Sequence, residues 1–298
     1  MFLPFLSLLY YLVIVLLTLV LYFVVKKKIQ VVKKILFTSM ILTGSGITIL
    51  IFTEHRLPLY GAFEATLYLI FILTLLEIQF WKDKEIPIQL KSCGATAALS
   101  LFLLLYHIMQ PKEFNPDFFM YGNPWVNLFF NLRLTAAALF TRTALLYQMG
   151  IWGQSIRKST EFNNEKMALI TAQKDSLKTC SKASSRDIKT PAASLENNSQ
   201  KIRKNQISRQ NIFFSSARTL LLVGLVVFLC SEWAGSWWCL NWLGDSWQWS
   251  KGFFKAAIVF MLVMLTCHLP PSFAKNPKIK AITGSLPALF LMWTIFYH

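Results

Sequence analysis

The chain has 298 residues, of which 55% are hydrophobic and only 15% charged, against roughly 25% charged in an average soluble domain. That composition excludes a disordered chain, a collagen and a disulfide-rich secreted scaffold, and a mean hydropathy of +0.47 points to a lipid bilayer. Thirty Lys and Arg against 14 Asp and Glu give a net charge of +16, so the placement of the positive charges decides between a nucleic-acid binder and a membrane protein.

A bilayer core of roughly 30 Å needs about 20 apolar residues at 1.5 Å each. Runs of that kind predict spans at 2–25, 35–53, 60–81, 92–110, 125–149, 212–231, 253–269 and 281–297. The first is too long for a signal-peptide core and runs into Lys26, Lys27 and Lys28 with no small-residue cleavage site, so it is expected to stay as a helix. The connectors alternate in charge. Segment 26–34 holds five Lys, 82–91 three, 151–211 twelve Lys and Arg, and 270–280 three, together 23 of the 30 basic residues. The opposite connectors hold little more than Arg56, Lys112 and Lys251. The positive-inside rule then puts those 23 charges inside and both termini outside.

The expectation is therefore an all-α polytopic membrane bundle of about eight transmembrane helices. Spans one to five fill residues 1–150, and a basic internal loop, disordered or loosely helical, covers 151–211. Spans six to eight fill 212–298, with an outer loop at 232–251. The positive charge follows from topology, so the partner implied is the lipid bilayer, with no nucleic acid. The five cysteines show no CxxC or Cys/His pairing, and no Walker loop, GxSxG or HExxH is present.

Six of the ten tryptophans fall in one outer connector: Trp233, Trp237, Trp238, Trp242, Trp247 and Trp249, in EWAGSWWCLNWLGDSWQWSKGFF. Tryptophan is enriched at both membrane interfaces, but such belts scatter it over many helix ends. Concentrated here and interleaved with Gly235, Ser236, Gly244 and Ser246, the tryptophans suit a platform on which a large flat aromatic ligand stacks.

This segment, with the span after it ending in Cys267 and His268, resembles the tryptophan-rich haem-handling loop of the cytochrome c assembly superfamily. That superfamily includes the CcsA-type haem lyase subunit and its relatives CcmC, CcmF and HemX. Its WGxxWxWDPxE pattern is similar to Leu243-Gly244-Asp245-Ser246-Trp247-Gln248-Trp249-Ser250-Lys251, and its YLHTR-like helix end to Thr266-Cys267-His268. The stretch His55-Arg56-Leu57-Pro58-Leu59-Tyr60-Gly61-Ala62-Phe63-Glu64-Ala65 looks like the family's PLSNLYES segment. Asn123-Pro124-Trp125-Val126-Asn127-Leu128-Phe129 looks like its SPWLxxH opening of a later helix. The chain departs from the family at Ser250-Lys251-Gly252-Phe253, where the pattern has Asp-Pro-x-Glu, and at Phe129, where it has an outer histidine.

The resemblance implies a protein that binds haem b and presents it outside for attachment to apocytochrome c, working with a second membrane subunit of the CcsB/ResB type. It would form part of a cytochrome c haem lyase in a bacterial inner membrane or a thylakoid. The alternatives are a HemX-like non-catalytic regulator or scaffold and an unrelated permease. Haem iron takes His, Cys, Met or Tyr ligands. His268 matches the family's intramembrane ligand, and His107 lies at the outer end of span four, on the side where the family histidine is missing; His55 and His298 are weaker candidates. Trp237, Trp238, Trp242, Trp247 and Trp249 would form the stacking platform. Arg133, in span five, would meet a propionate, pair with Glu64 or snorkel, whereas Arg142 and Arg218 are expected to snorkel toward the inner face.

Overall fold

In a computed structural model of the chain, residues 3–54, 62–79, 86–107, 123–179, 192–244, 251–274 and 276–296 are described. All regular structure among them is helical: α1 Leu3–Val25, α2 Ile29–Glu54, α3 Ala62–Gln79, α4 Ile86–His107, α5 Pro124–Thr179, α6 Ala192–Leu243, α7 Lys251–Cys267, α8 Pro271–Ala274 and α9 Pro277–Phe296. Helix is what a lipid-facing chain requires, because only there does each segment satisfy its own backbone N–H and C=O groups. Among the described residues, five helices are long and apolar enough to cross a membrane: Ser7–Val25, Ile29–Phe52, Ile88–Tyr106, Phe213–Trp242 and Pro277–Phe296. Gly252–Cys267 is a shorter apolar helix.

Helix extends into two of the connectors. In the basic segment 151–211, α5 continues to Thr179 and α6 begins at Ala192. The tryptophan segment is helical as far as Leu243, so Trp233, Trp237, Trp238 and Trp242 ride on α6. The helix stops where Gly244 takes a left-handed φ of 63°, the conformation that ends many helices and that glycine adopts without a Cβ clash.

The core divides in two. One cluster packs Tyr10, Val13 and Leu17 of α1 against Leu36 and Leu50 of α2, Leu67 of α3 and Leu104 of α4. The other joins Leu69 and Leu73 of α3 to Ala136, Ala137 and Phe140 of α5, Phe228 of α6, Val259 of α7 and Leu291 of α9. Small residues set the close helix approaches, as expected where no hydrophobic force acts between helices in lipid. A Cβ on Gly224 would lie 2.8 Å from Phe140, and one on Gly235 2.8 Å from Phe129, so α6 touches α5 at both levels.

Contacts fix the direction of neighbouring helices. Trp125 of α5 meets Trp237 of α6, while Phe214 of α6 meets Tyr147 of α5, so the two are antiparallel. Thr266 of α7 donates to the Thr283 carbonyl of α9 at 2.9 Å, and Lys255 lies 5.8 Å from the Trp293 ring, so these two are antiparallel as well. Trp125, Trp237, Lys255 and Trp293 therefore mark one end of the C-terminal helices, and Phe214, Thr266 and Thr283 the other.

Candidate functional site

Among the described residues, two ion pairs lie inside the bundle, and they are built in opposite ways. The first sits between α3, α4 and α5. Helix α4 turns Ser92, Cys93 and Thr96 to one face, because residues three and four apart share a side of a helix. That face meets Glu77 of α3 and Arg142 of α5. The Arg142 guanidinium donates to Glu77 Oε2, and its second nitrogen donates to Ser92 Oγ at 2.9 Å. Glu77 Oε2 also accepts from Ser92 at 2.9 Å and from Thr96 at 2.7 Å, and Cys93 Sγ lies 3.7 Å from Oε1. The Arg142 and Glu77 side chains are 0% and 1% exposed. Snorkelling of Arg142 is thus overturned: a carboxylate and hydroxyls inside the bundle bond both of its terminal nitrogens where it stands. Glu77 had no signal in the sequence beyond its place near the end of an apolar run, which reads as an interfacial carboxylate. Arg218, by contrast, is exposed.

The second group lies at the Trp125 end of α5 and α6. Trp125 stacks on Trp237, with ring centroids 6.0 Å apart and planes 19° apart, and meets Trp233 edge-on at 5.5 Å. Trp233 and Trp237 meet edge-on at 6.3 Å. Their spacing of four residues places both on one face of α6, and both stay 41% or more exposed. Trp242, one turn further, is exposed, and Trp238 is half-buried. The interleaved small residues are not loop features: Gly235 makes room for Phe129, and Ser236 Oγ donates to the Glu232 carbonyl one turn back at 2.9 Å.

Below this aromatic group, Arg133 Nη1 lies 3.8 Å from Glu232 Oε1, an ion pair too long to be a hydrogen bond. The guanidinium sits 5.0 Å over the Phe129 ring. Arg133 therefore faces Glu232 of α6 rather than Glu64, which is buried within α3. Arg133 Nε and both Glu232 carboxylate oxygens are buried without a hydrogen-bond partner among the described residues. Nearby on α5, Asn131 Oδ1 accepts from the Tyr68 hydroxyl of α3, which also lies 3.2 Å from Thr135 Oγ1.

His268 follows the last residue of α7, at the opposite end of that helix from the tryptophan connector. Its ring is exposed, and Nδ1 lies 3.0 Å from the Met264 carbonyl. A carbonyl only accepts, so Nδ1 donates in this contact and Nε2 is the ring nitrogen turned away from it, the geometry of a typical metal-ligating histidine. Helix α7 has 17 residues, about 25 Å at 1.5 Å each. One flat ligand cannot touch His268 and the Trp233–Trp237 face together. His107 ends α4, but its side chain lies outside the described residues, as do Trp247, Trp249, His55 and His298.

No protein-family model, no curated protein and no solved structure matches this chain.

Proposed function

We propose that this chain is a haem-handling membrane protein of cytochrome c biogenesis, with eight spans and both termini outside, in a bacterial inner membrane or a thylakoid. It binds haem b and presents it on the outer face for attachment to apocytochrome c, as part of a lyase completed by a second membrane subunit of the CcsB/ResB type. The observation that carries this reading is the meeting of three tryptophans, Trp125, Trp233 and Trp237, with Arg133 at one end of the bundle. A porphyrin asks for a flat apolar face and a cation for each carboxylate. The exposed indoles supply the first, and an arginine with a free Nε supplies one of the second. His268, whose Nδ1 is engaged by the Met264 carbonyl, is suited to hold iron through Nε2 at a separate inner station. Bound haem would supply the vinyl groups to which apocytochrome thiols add; the residues of this chain bind, orient and exclude competing reactions. Helices α3, of 18 residues, and α7, of 17, are about 27 and 25 Å long, and α5, of 56, is longer than one crossing needs, which supports counting these three as spans beside the five more apolar ones.

A second reading is a HemX-like regulator or scaffold without ligation. Phe129, standing where the resembling proteins have an outer histidine, favours it, since that ring is buried under Arg133 and supports packing alone. Absorbance of the detergent-purified chain, with and without His268→Ala and with haem quantified as its pyridine complex, tests the first reading. A Soret band in the wild type that is lost or shifted in the variant is the expected result, and no haem under haem-replete growth would sink it. Restoration of c-type cytochrome formation in a deletion strain separates presentation from scaffolding.

A further inference from the structure

Two buried ion pairs among the described residues differ in one chemical respect, and the difference points to a job for Glu232. At Glu77 one carboxylate oxygen accepts from Arg142, Ser92 and Thr96, and both side chains are sealed from solvent. A charge held in that way in low dielectric is fixed, because each donor would be stranded if it left. At Glu232 neither oxygen has a hydrogen-bond donor among the described residues, and the guanidinium opposite stands at 3.8 Å. The side chains keep 12% and 13% exposure, and the residue after Glu232 is Trp233, one of the exposed indoles. Phe129 supports the guanidinium by its face, and the Gly235 backbone braces Phe129 in turn, so Arg133 is held in place without using its N–H edge. Among the described residues, Arg133 is the one charged group that meets Glu232.

We propose that Glu232 is the exchangeable counter-ion of a carboxylate-binding position at Arg133. The carboxylate of a flat aromatic ligand lying against Trp233 and Trp237 takes the guanidinium, and Glu232, displaced, takes up one proton from solvent. The exchange balances: the site is neutral before, as Arg133 cation with Glu232 anion, and neutral after, as Arg133 cation with ligand carboxylate beside an uncharged Glu232. It is favourable because the incoming carboxylate forms hydrogen bonds with Arg133 that Glu232 lacks, and charge-assisted pairs of that kind are the stronger ones. This inference rests on the haem reading above and adds the regulation of its outer station by a proton.

The experiment uses the full chain in detergent with metal-free protoporphyrin IX, which carries two carboxylates and no iron, so His268 has no iron to ligate. Binding is read by quenching of tryptophan fluorescence over a pH series, and proton uptake by a pH indicator in weakly buffered solution. In the wild type, affinity falls by up to about tenfold per pH unit as pH rises, and one proton is taken up per porphyrin bound. Glu232→Gln removes the carboxylate that must be displaced, so it binds more tightly at neutral pH with no slope. Arg133→Gln weakens binding throughout, and protoporphyrin dimethyl ester is indifferent to both changes. If the wild type binds porphyrin with no proton uptake, or Glu232→Gln keeps the wild-type affinity and slope, the exchange is overturned while the haem reading stands. If the wild type binds no porphyrin at all, both fall together. The proton count needs only the wild type, so it decides the matter even if a variant fails to fold.

Discussion

Arg142 and Glu77, 65 residues apart in sequence, form a sealed ion pair that joins α5 to α3, with α4 closing it through Ser92 and Thr96. Because α3 and α4 belong to both hydrophobic clusters, this pair sits on the seam between them. Removing one partner leaves the other as an uncompensated charge in a medium that cannot solvate it, which costs about 3–5 kcal/mol. Glu77→Leu or Arg142→Met alone should therefore lower the thermal unfolding midpoint in detergent far more than the double variant. The double variant replaces the pair with apolar volume and should recover most of the loss. Equal loss in the double and the singles would show that the hydroxyl network, rather than the charge pair, holds the seam.

Helix α9 approaches α5 more closely than any side chain at position 284 would allow. A Cβ on Gly284 would clash with the Tyr147 ring, and at the next residue of each helix Gln148 reaches Ser285 at 3.1 Å. Gly284→Ala should overpack this contact and cost roughly 1–3 kcal/mol, seen as a lower midpoint for heat-induced aggregation. Tyr147→Leu in the same chain should return part of it, since two contacting residues are not additive. An unchanged midpoint in Gly284→Ala would mean that α5 and α9 do not pack in this register.

Much of the helical plan was legible because lipid imposes a simple rule on composition. Apolar runs of about 20 residues mark spans, and Val25 to Lys26 or Phe52 onward are sharp ends in both sequence and structure. What escaped were the relationships between helices. Glu77 reads as a carboxylate near a helix end until Arg142 is brought to it from α5, and no spacing along one chain reveals that meeting. Gly235 and Ser236 read as loop residues among tryptophans, yet the glycine is a socket for Phe129 and the serine bonds its own helix, so α6 carries its apolar stretch 30 residues to Trp242. Arg133 was legible as a residue with a polar task, while its counterpart Glu232, beside the first of the six tryptophans, was not.

Tyr10 of α1 donates its hydroxyl proton to the Leu104 carbonyl of α4. Leu104 lies in the last turn of α4, where carbonyls have no partner within their own helix. Tyr10→Phe keeps the ring, which tilts against Phe63 at 5.2 Å, and removes only the donor. The loss should be about 1 kcal/mol, well below that from breaking the Glu77 pair. A comparable drop in midpoint for the two would mean that α1 is docked by this bond rather than by Val13, Leu17 and their apolar neighbours.

Charge placement makes a last prediction that does not depend on any ligand. With 23 of 30 basic residues in four connectors of one sign of orientation, Lys26 to Lys34 and the segment from 151 to 211 should face the same side of the membrane. A chain whose Cys93, Cys230, Cys239 and Cys267 are replaced keeps Cys180, which lies in that segment. In inside-out vesicles a membrane-impermeant maleimide should label it at once, and in right-side-out cells or spheroplasts only after permeabilisation. Adding a cysteine before Met1 should give the reverse pattern, because the five expected spans between residue 1 and the basic segment, an odd number, put them on opposite faces. Labelling of Cys180 and of the N-terminal cysteine from the same side would require an even number of crossings between residue 1 and residue 180. Five spans before the basic segment would then be wrong, and labelling of Cys180 from the outer side would put the tryptophan end of α6 on the inner side.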